Sequence, residues 1–372
     1  MNRNAGLTRL GTDKIRRQVM FEAFLTSDTL TDAAKAALGG LTIGMCFGFA
    51  AQRSDFCLRA ATVEFWSGQI AERFLVWLLV FGTALASVQI LFAAGILPAA
   101  EIRQLANPGS LSGAVIGGSL FGAGMVLAGG CASRLLVLSA TGNLRALVSG
   151  LLLTVIAQAA LTGALSPLRE MLGRLWVIGP NARNMALHLP AHAALLAGLA
   201  MMGAAILIGM RQRVAKAKLC FAAVVGLTVA MGWAFTASLA AYAFDPVAVE
   251  SISFTGPSAD TLMALINRPD LPLNFGIGLV PGVFAGSALS ALLAGQLKVQ
   301  VFSAETGMAR YLAGAVMMGF GGMLAGGCAV GAGVTGGSVL SLTAWTALFA
   351  MWISAGIAHF ARSARSRLHR AG

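Results

Sequence analysis

Residues 117–132 read GGSLFGAGMVLAGGCA, and residues 314–329 read GAVMMGFGGMLAGGCA. Nine of these sixteen positions recur at an offset of 197, among them the whole run Leu127-Ala128-Gly129-Gly130-Cys131-Ala132 against Leu324-Ala325-Gly326-Gly327-Cys328-Ala329. A glycine pair followed by a cysteine, repeated inside apolar sequence, points to a duplicated membrane protein whose halves meet around a thiol-lined site. A second pair of stretches extends the repeat. Gly40-Leu41-Thr42-Ile43 with Met45 returns as Gly226-Leu227-Thr228-Val229 with Met231, here at an offset of 186.

Composition agrees with that reading. Of 372 residues, 57% are hydrophobic and only 11% charged, whereas a soluble domain carries about 25% charged residues. A helical crossing of the hydrocarbon core takes roughly 20 apolar residues. Such segments are expected at about 36–51, 70–97, 111–130, 143–165, 190–210, 219–242, 273–296, 310–327 and 340–361. The expected class is therefore an all-α polytopic membrane protein with about nine transmembrane helices plus short re-entrant helices. The 46 glycines suit close helix packing in lipid.

The chain divides into a loose or amphipathic leader (1–35), a first membrane repeat (36–165), a connector with one crossing (166–218), a second repeat (219–361) and a basic tail (362–372). An odd crossing between two four-crossing repeats inverts one relative to the other. Inverted repeats place a site near the midplane, where broken helices face each other. The leader has no apolar core of the kind a cleavable signal peptide carries. The net charge of +12 reads as basic loops on the cytoplasmic side, such as Arg211–Lys218 and Arg362–Arg370, not as a nucleic-acid surface.

The five cysteines are an odd number, so no complete disulfide framework is expected. The four histidines are scattered, and no metal site or cofactor is expected. Cys46 and Cys220, inside apolar helices, read as small hydrophobes. Cys131 and Cys328 are expected where a helix stops at glycines and a short one begins, with free backbone N–H groups at hand to attract an anion. Cys57 lies in the polar segment Gln52–Arg59. Arg53, Arg59 and Arg134 sit within a few residues of Cys57 or Cys131, and ionisable groups at membrane depth are functional candidates by default. The polar segments Gln52–Arg59 and Ser251–Ser258 should each lead into a short helix, with Ser258 capping the second. Glu64 and Glu72–Arg73 are expected to pair locally, and Asp245 and Glu250 to lie in a solvated loop. No catalytic residue is expected.

One cysteine in an Arg-x-x-x-Cys segment (Arg53 to Cys57), two in Gly-Gly-Cys-Ala motifs, and the phrases Cys131-Ala132-Ser133-Arg134 with Gly142-Asn143-Leu144 and Gly327-Cys328-Ala329-Val330-Gly331-Ala332-Gly333 together resemble the YeeE/YedE family of sulfur-transport proteins. The resemblance implies an hourglass of inverted halves in the inner membrane. It further implies passage of thiosulfate or a related sulfur anion along Cys57, Cys131 and Cys328, with Gly129, Gly130, Gly326, Gly327, Arg53, Arg59 and Arg134 in support. A small TusA-like cytoplasmic sulfur carrier is the implied partner beside membrane lipid. Leu138-Ser139-Ala140-Thr141 lacks the basic and glycine residues many relatives carry there, and some members serve selenium metabolism. Two other classes compete. One is a membrane thiol enzyme relaying sulfane sulfur through a persulfide, disfavoured because no histidine or acid stands beside a cysteine. The other is a scaffold, which has no need for interrupted helices.

Overall fold

The computed structural model describes residues 30–190, 192–267, 273–300 and 307–371; the greater part of the leader, residues 1–29, lies outside them. Nine long helices fall on the nine expected segments: α1 (Asp32–Ser54), α3 (Glu72–Ala93), α4 (Leu111–Ala128), α6 (Leu144–Leu161), α7 (Ala193–Arg211), α8 (Lys216–Tyr242), α10 (Phe275–Leu293), α11 (Met308–Leu324) and α13 (Leu342–Ala371). Of the shorter helices, four matter for the site: α2 (Leu58–Trp66), α5 (Ala132–Ala140), α9 (Thr255–Asn267) and α12 (Ala329–Ser338), the last beginning as a π-helical run. Among the described residues eight helical stretches are long and apolar enough to cross a membrane. The bent pair α11–α12, angled by 40°, makes a ninth. The protein is a multi-pass membrane protein.

Polar residues start these helices where an apolar run alone could not. The side chains of Thr31, Ser110, Asn143 and Asn274 accept backbone N–H groups from the first turns of α1, α4, α6 and α10, which satisfies donors that lipid cannot. Glycine then decides the packing. On α1, Gly40, Gly44 and Gly48 face α10; on α10, Gly278, Gly282 and Gly286 face α1. A methyl group at any of the six would run into the other helix's backbone, Gly278 against the Ala37 carbonyl and Gly40 against that of Phe275. The helices α4 and α11 meet the same way. A Cβ on Gly117 would stand 2.6 Å from the Gly321 oxygen, and one on Gly321 2.7 Å from the Gly117 oxygen. In lipid, where burial of apolar surface drives nothing, such close approach supplies the attraction.

Chain direction shows the inversion. Asp32, at the start of α1, accepts the Phe244 N–H just past the end of α8, while Asp55, just past the end of α1, pairs with Lys218 near the start of α8. The two helices are antiparallel. So are α4 and α11, since Gly113 meets Leu324 and Gly124 meets Gly314.

One membrane face gathers the ends joined by Lys218–Glu72, Gln212–Ile70, Gln52–Gln296, Leu144–Gln300 and Ser67–His359. It also carries Arg73, Arg145, Arg211, Arg213, Lys216 and Lys298, and is called the basic face below. The other face holds the Asp32–Phe244 contact, a two-residue ribbon pairing Gly109–Ser110 with Val177–Ile178, and the Met185–Leu340 hydrogen bond. Its charges are mixed.

Three local expectations are corrected. Ser258 does not cap α9: its N–H donates to the Phe254 carbonyl, so the helix starts earlier, and Pro257 is tolerated in a first turn whose N–H groups need no partner within the helix. Glu250 does not lie in a solvated loop; Val249, Ser251 and Ile252 around it are buried and it is half-buried itself, while Asp245 is exposed. Cys46 and Cys220 are exposed on the outer surfaces of α1 and α8, where in a bilayer they meet lipid. The expected pairing of Glu64 with Arg73 is present, Glu64 also receiving the N–H groups of Arg73 and Phe74, while Glu72 turns to Lys218.

Candidate functional site

Each of the three singled-out cysteines stands immediately before a short helix. Cys57 precedes α2, Cys131 precedes α5 and Cys328 precedes α12, all with extended backbone. The glycines make this possible. Gly129 closes α4 at φ 79, a left-handed conformation that a side chain adopts at about 1–2 kcal/mol. Gly326 and Gly327 break α11 at φ 81 and 158, and a Cβ on Gly327 would stand 2.7 Å from the Ala332 nitrogen. Gly130 needs no such freedom; its added Cβ would make ordinary contacts with Arg134 and Leu135.

From Cys131 the helix α5 continues to the basic face, where Thr141 and Gly142 accept hydrogen bonds from Lys298 and Gln300. From Cys328 the helix α12 continues, bent by 40°, to the other face, ending at Leu340 against Met185. The N-terminal ends of both point inward, with their partial positive charge. All three thiols are buried: Cys57 is 6% exposed, Cys131 1% and Cys328 0%.

Two of them lie close together. The thiols of Cys57 and Cys131 are near neighbours, and the Cys131 sulfur lies 3.4 Å from Ser133 Oγ. Around this pair stand Arg59 and Arg134, both in the first turn of a helix. A cation there opposes the helix dipole, so helix stability does not explain them. Arg134 Nη2 donates to Asp55 at 3.1 Å, and Asp55 in turn receives Lys218 at 3.1 Å. Yet Arg134 Nη1, Arg59 Nε and Arg53 Nε are buried without a hydrogen-bond partner. Arg53 lies beside the Phe49 ring, 5.6 Å from its centroid. The basic residues outnumber Asp55, and their orphaned donors suit an anion.

Cys328 does not join this pair. Its sulfur accepts the Gly331 N–H at 3.4 Å within its own turn. Between the two groups lies an aromatic column. Phe47, 0% exposed, sits edge-on to Phe56, which precedes Cys57, and 5.2 Å from Phe254, which precedes α9.

Phe254 completes a pattern. It lies 197 residues after Cys57, as Cys328 lies 197 after Cys131. Four short helices thus have four inner ends, three headed by cysteine and the fourth by phenylalanine. The same offset pairs Arg53 with Glu250, Arg59 with Gly256 and Arg134 with Gly331. The two ends of the site therefore differ in charge. Sequence reasoning missed Phe254, Asp55 and Lys218. The shift in repeat offset from 186 to 197, eleven added residues before α9, was the signal that could have found Phe254. Among the described residues no group of acids, histidines and cysteines is arranged to hold a metal.

Residues 53–357 match the Sulphur transport family. The chain belongs to that family. It is 24% identical to the thiosulfate transporter TsuA of Escherichia coli strain K12, an alignment covering 89% of this chain and 97% of that protein. It is 28% identical to the thiosulfate transporter TsuA of Spirochaeta thermophila, over 83% of this chain and 93% of that one. The match spans the Cys57, Cys131 and Cys328 segments alike, and the family is one of transport rather than of catalysis.

Proposed function

We propose that this protein carries thiosulfate, or a closely related sulfur anion, across the inner membrane along Cys328, Cys131 and Cys57. The observation that supports this most is the joint placement of the thiols: buried, at the inward ends of short helices from opposite faces, with two close together beside Arg134. Residues 36–165 and 219–361 form the two inverted repeats of an hourglass, and its waist is the Phe56–Phe47–Phe254 column. By the excess of Lys and Arg the basic face is cytoplasmic. The same face is where a TusA-like sulfur carrier would collect the cargo.

Thiosulfate has two negative charges and a soft terminal sulfur. A site of fixed ion pairs would trap it, whereas conduction needs binding weak enough to leave. A neutral thiol offers a hydrogen bond worth about 0.5–1.5 kcal/mol net, and several in series make shallow steps. Helix N-termini offset charge without full ion pairing. Uptake of labelled thiosulfate by proteoliposomes, with sulfate and selenite as competitors, tests the reading. Saturable uptake that sulfate fails to suppress is expected, and competition by selenite alone would redirect the assignment to selenium. No uptake into sealed, correctly inserted vesicles overturns it.

A further inference from the structure

The inner end of α9 is held against both sides of the turn that presents Cys328. Ser253, two residues before the helix, packs on Gly331, whose N–H donates to the Cys328 sulfur at 3.4 Å. Next to it, the Ile252 carbonyl accepts from Thr335 of α12 at 2.6 Å. Thr255, the first residue of the helix, faces Gly322 of α11, where an added Cβ would stand 3.0 Å from its Oγ1. The Gly322 carbonyl in turn accepts the N–H of Gly327, the residue before Cys328, at 2.8 Å. Between Ser253 and Thr255, the Phe254 ring lies 5.2 Å from Phe47 of the waist. Thr255 is therefore placed where the Cys328 turn meets the waist.

Its hydroxyl is fully buried, and Oγ1 has no hydrogen-bond partner. A hydroxyl deeper in a helix turns to the carbonyl of the preceding turn, as Thr228 does with Val225 and Thr261 with Pro257. In the first position there is no preceding turn. The N–H groups of Thr255 and Gly256 open the helix and have no partner within it, and Phe254 offers no acceptor from its side chain. A Cβ on Gly256 would meet nothing within 4 Å, so there is room beside this first turn. The other three inner ends read Cys57-Leu58, Cys131-Ala132 and Cys328-Ala329, a hydrogen-bonding side chain followed by an apolar one. Here the order is reversed, Phe254-Thr255, and a hydroxyl takes the place of a thiol.

We infer that the Thr255 hydroxyl, with the first N–H groups of α9, is a fourth binding station of the passage, taking the oxygen atoms of the anion on the step between Cys328 and the Cys57–Cys131 pair. This deepens the transport reading above and rests on it. Thiosulfate has a soft end, its terminal sulfur, and a hard end of three oxygens. Thiols, soft and polarizable, suit the first; a hydroxyl is the better donor to the second. The buried donor left unmade in the empty protein is then made when the ion arrives. Because the hydroxyl is neutral, the step stays shallow enough for the ion to leave.

The test pairs initial uptake of labelled thiosulfate by proteoliposomes, measured against concentration, with thermal unfolding in detergent. Thr255→Val keeps the shape of the side chain and removes the hydroxyl. The half-saturating concentration should rise about tenfold or more, the factor that a hydrogen bond to a charged group supplies. The unfolding midpoint should hold or rise, because a buried polar atom without a partner is gone. A hydroxyl that only braces the fold gives the reverse, a lower midpoint with unaltered half-saturation. Thr255→Ser keeps the donor and should stay close to the unaltered protein, and Thr255→Ala stands in for the Val variant if that one fails to insert. Unaltered half-saturation without the hydroxyl, or a Ser variant weakened as much as the variants that lack it, overturns the inference. Zero uptake by the unaltered protein instead overturns the transport reading.

Discussion

Arg134 is the side chain on which the electrostatics of the basic end can be measured. It is 16% exposed, held by Asp55 through one guanidinium nitrogen, and has a second buried nitrogen with no partner. At an effective permittivity of about 20, a guanidinium roughly 5 Å from a doubly charged anion attracts it by about 6–7 kcal/mol before desolvation. Desolvation of both ions and the neighbouring Asp55 charge remove most of that. What survives for hydrogen bonds to charged groups is about 1.5–3 kcal/mol. Taking about 2 kcal/mol, Arg134→Gln should raise the half-saturating thiosulfate concentration about 30-fold. Arg134→Lys keeps the charge but not the planar fork, and should lose only about 3- to 10-fold. Asp55→Asn should move the other way, because it takes a competing negative charge from the same guanidinium. The assay is initial uptake against concentration at matched protein incorporation. An Arg134→Gln protein with unaltered half-saturation, or an Asp55→Asn protein weakened as much as it, refutes the reasoning.

The cysteines give a contrast in the same assay: Cys131→Ala and Cys328→Ala should abolish uptake while insertion stays intact, whereas Cys46→Ala and Cys220→Ala, on the outer surfaces of α1 and α8, should be silent. Normal transport by Cys328→Ala would sink the pathway assignment. Gly282→Ala forces a methyl into the Leu41 carbonyl across the α1–α10 contact; thermal unfolding in detergent should drop, since neither backbone can yield without separating the helices, and an unchanged midpoint would remove the glycine seam from the account. Phe47→Ala empties the centre of the aromatic column. It should cost about 3–5 kcal/mol in stability and let sulfate compete where it did not before; unchanged selectivity would place the constriction elsewhere.

The nine crossings were legible because lipid demands long apolar runs and tolerates few charges. Helix breaks at Gly129 and Gly326–Gly327 were legible too, since a glycine pair after such a run has few other uses. What escaped was long-range. Asp55 looks like a loop acid until α8 brings Lys218 alongside α5's Arg134, 163 and 79 residues away in the chain. Glu250 looks solvated because its neighbours Asp245 and Pro246 are turn residues; the Thr236 hydroxyl, bonded to its backbone, and the bond from Ser251 to the Val229 carbonyl draw this segment against α8. Cys46 and Cys220 sit in helices too uniformly apolar to show which side meets lipid. Hydrophobic periodicity needs a polar side to report direction, and the charged residues of these helices lie only near their ends.

If the cargo is a dianion moving inward, as proposed above, the unequal ends of the site have a physical reason. Moving one elementary charge across 100 mV is worth about 2.3 kcal/mol, so two charges driven toward a negative interior climb roughly 4.6 kcal/mol. The accumulated cost is highest for an ion that has already passed the waist. A symmetric pair of mouths would leave that slope uncompensated. Here the residues that counter it, Arg53, Arg59 and Arg134, lie beyond the Phe47 column on the basic face, while the same positions of the other half hold Glu250, Gly256 and Gly331. Attraction of about 2 kcal/mol at the inner thiol pair, as estimated for Arg134, offsets close to half of the climb without forming the deep well that a ring of arginines on both sides would make. Setting the arginines of the thiol sites on one side alone keeps every step shallow. It also gives a reason why duplication preserved the cysteines and glycines of both halves but not their charges.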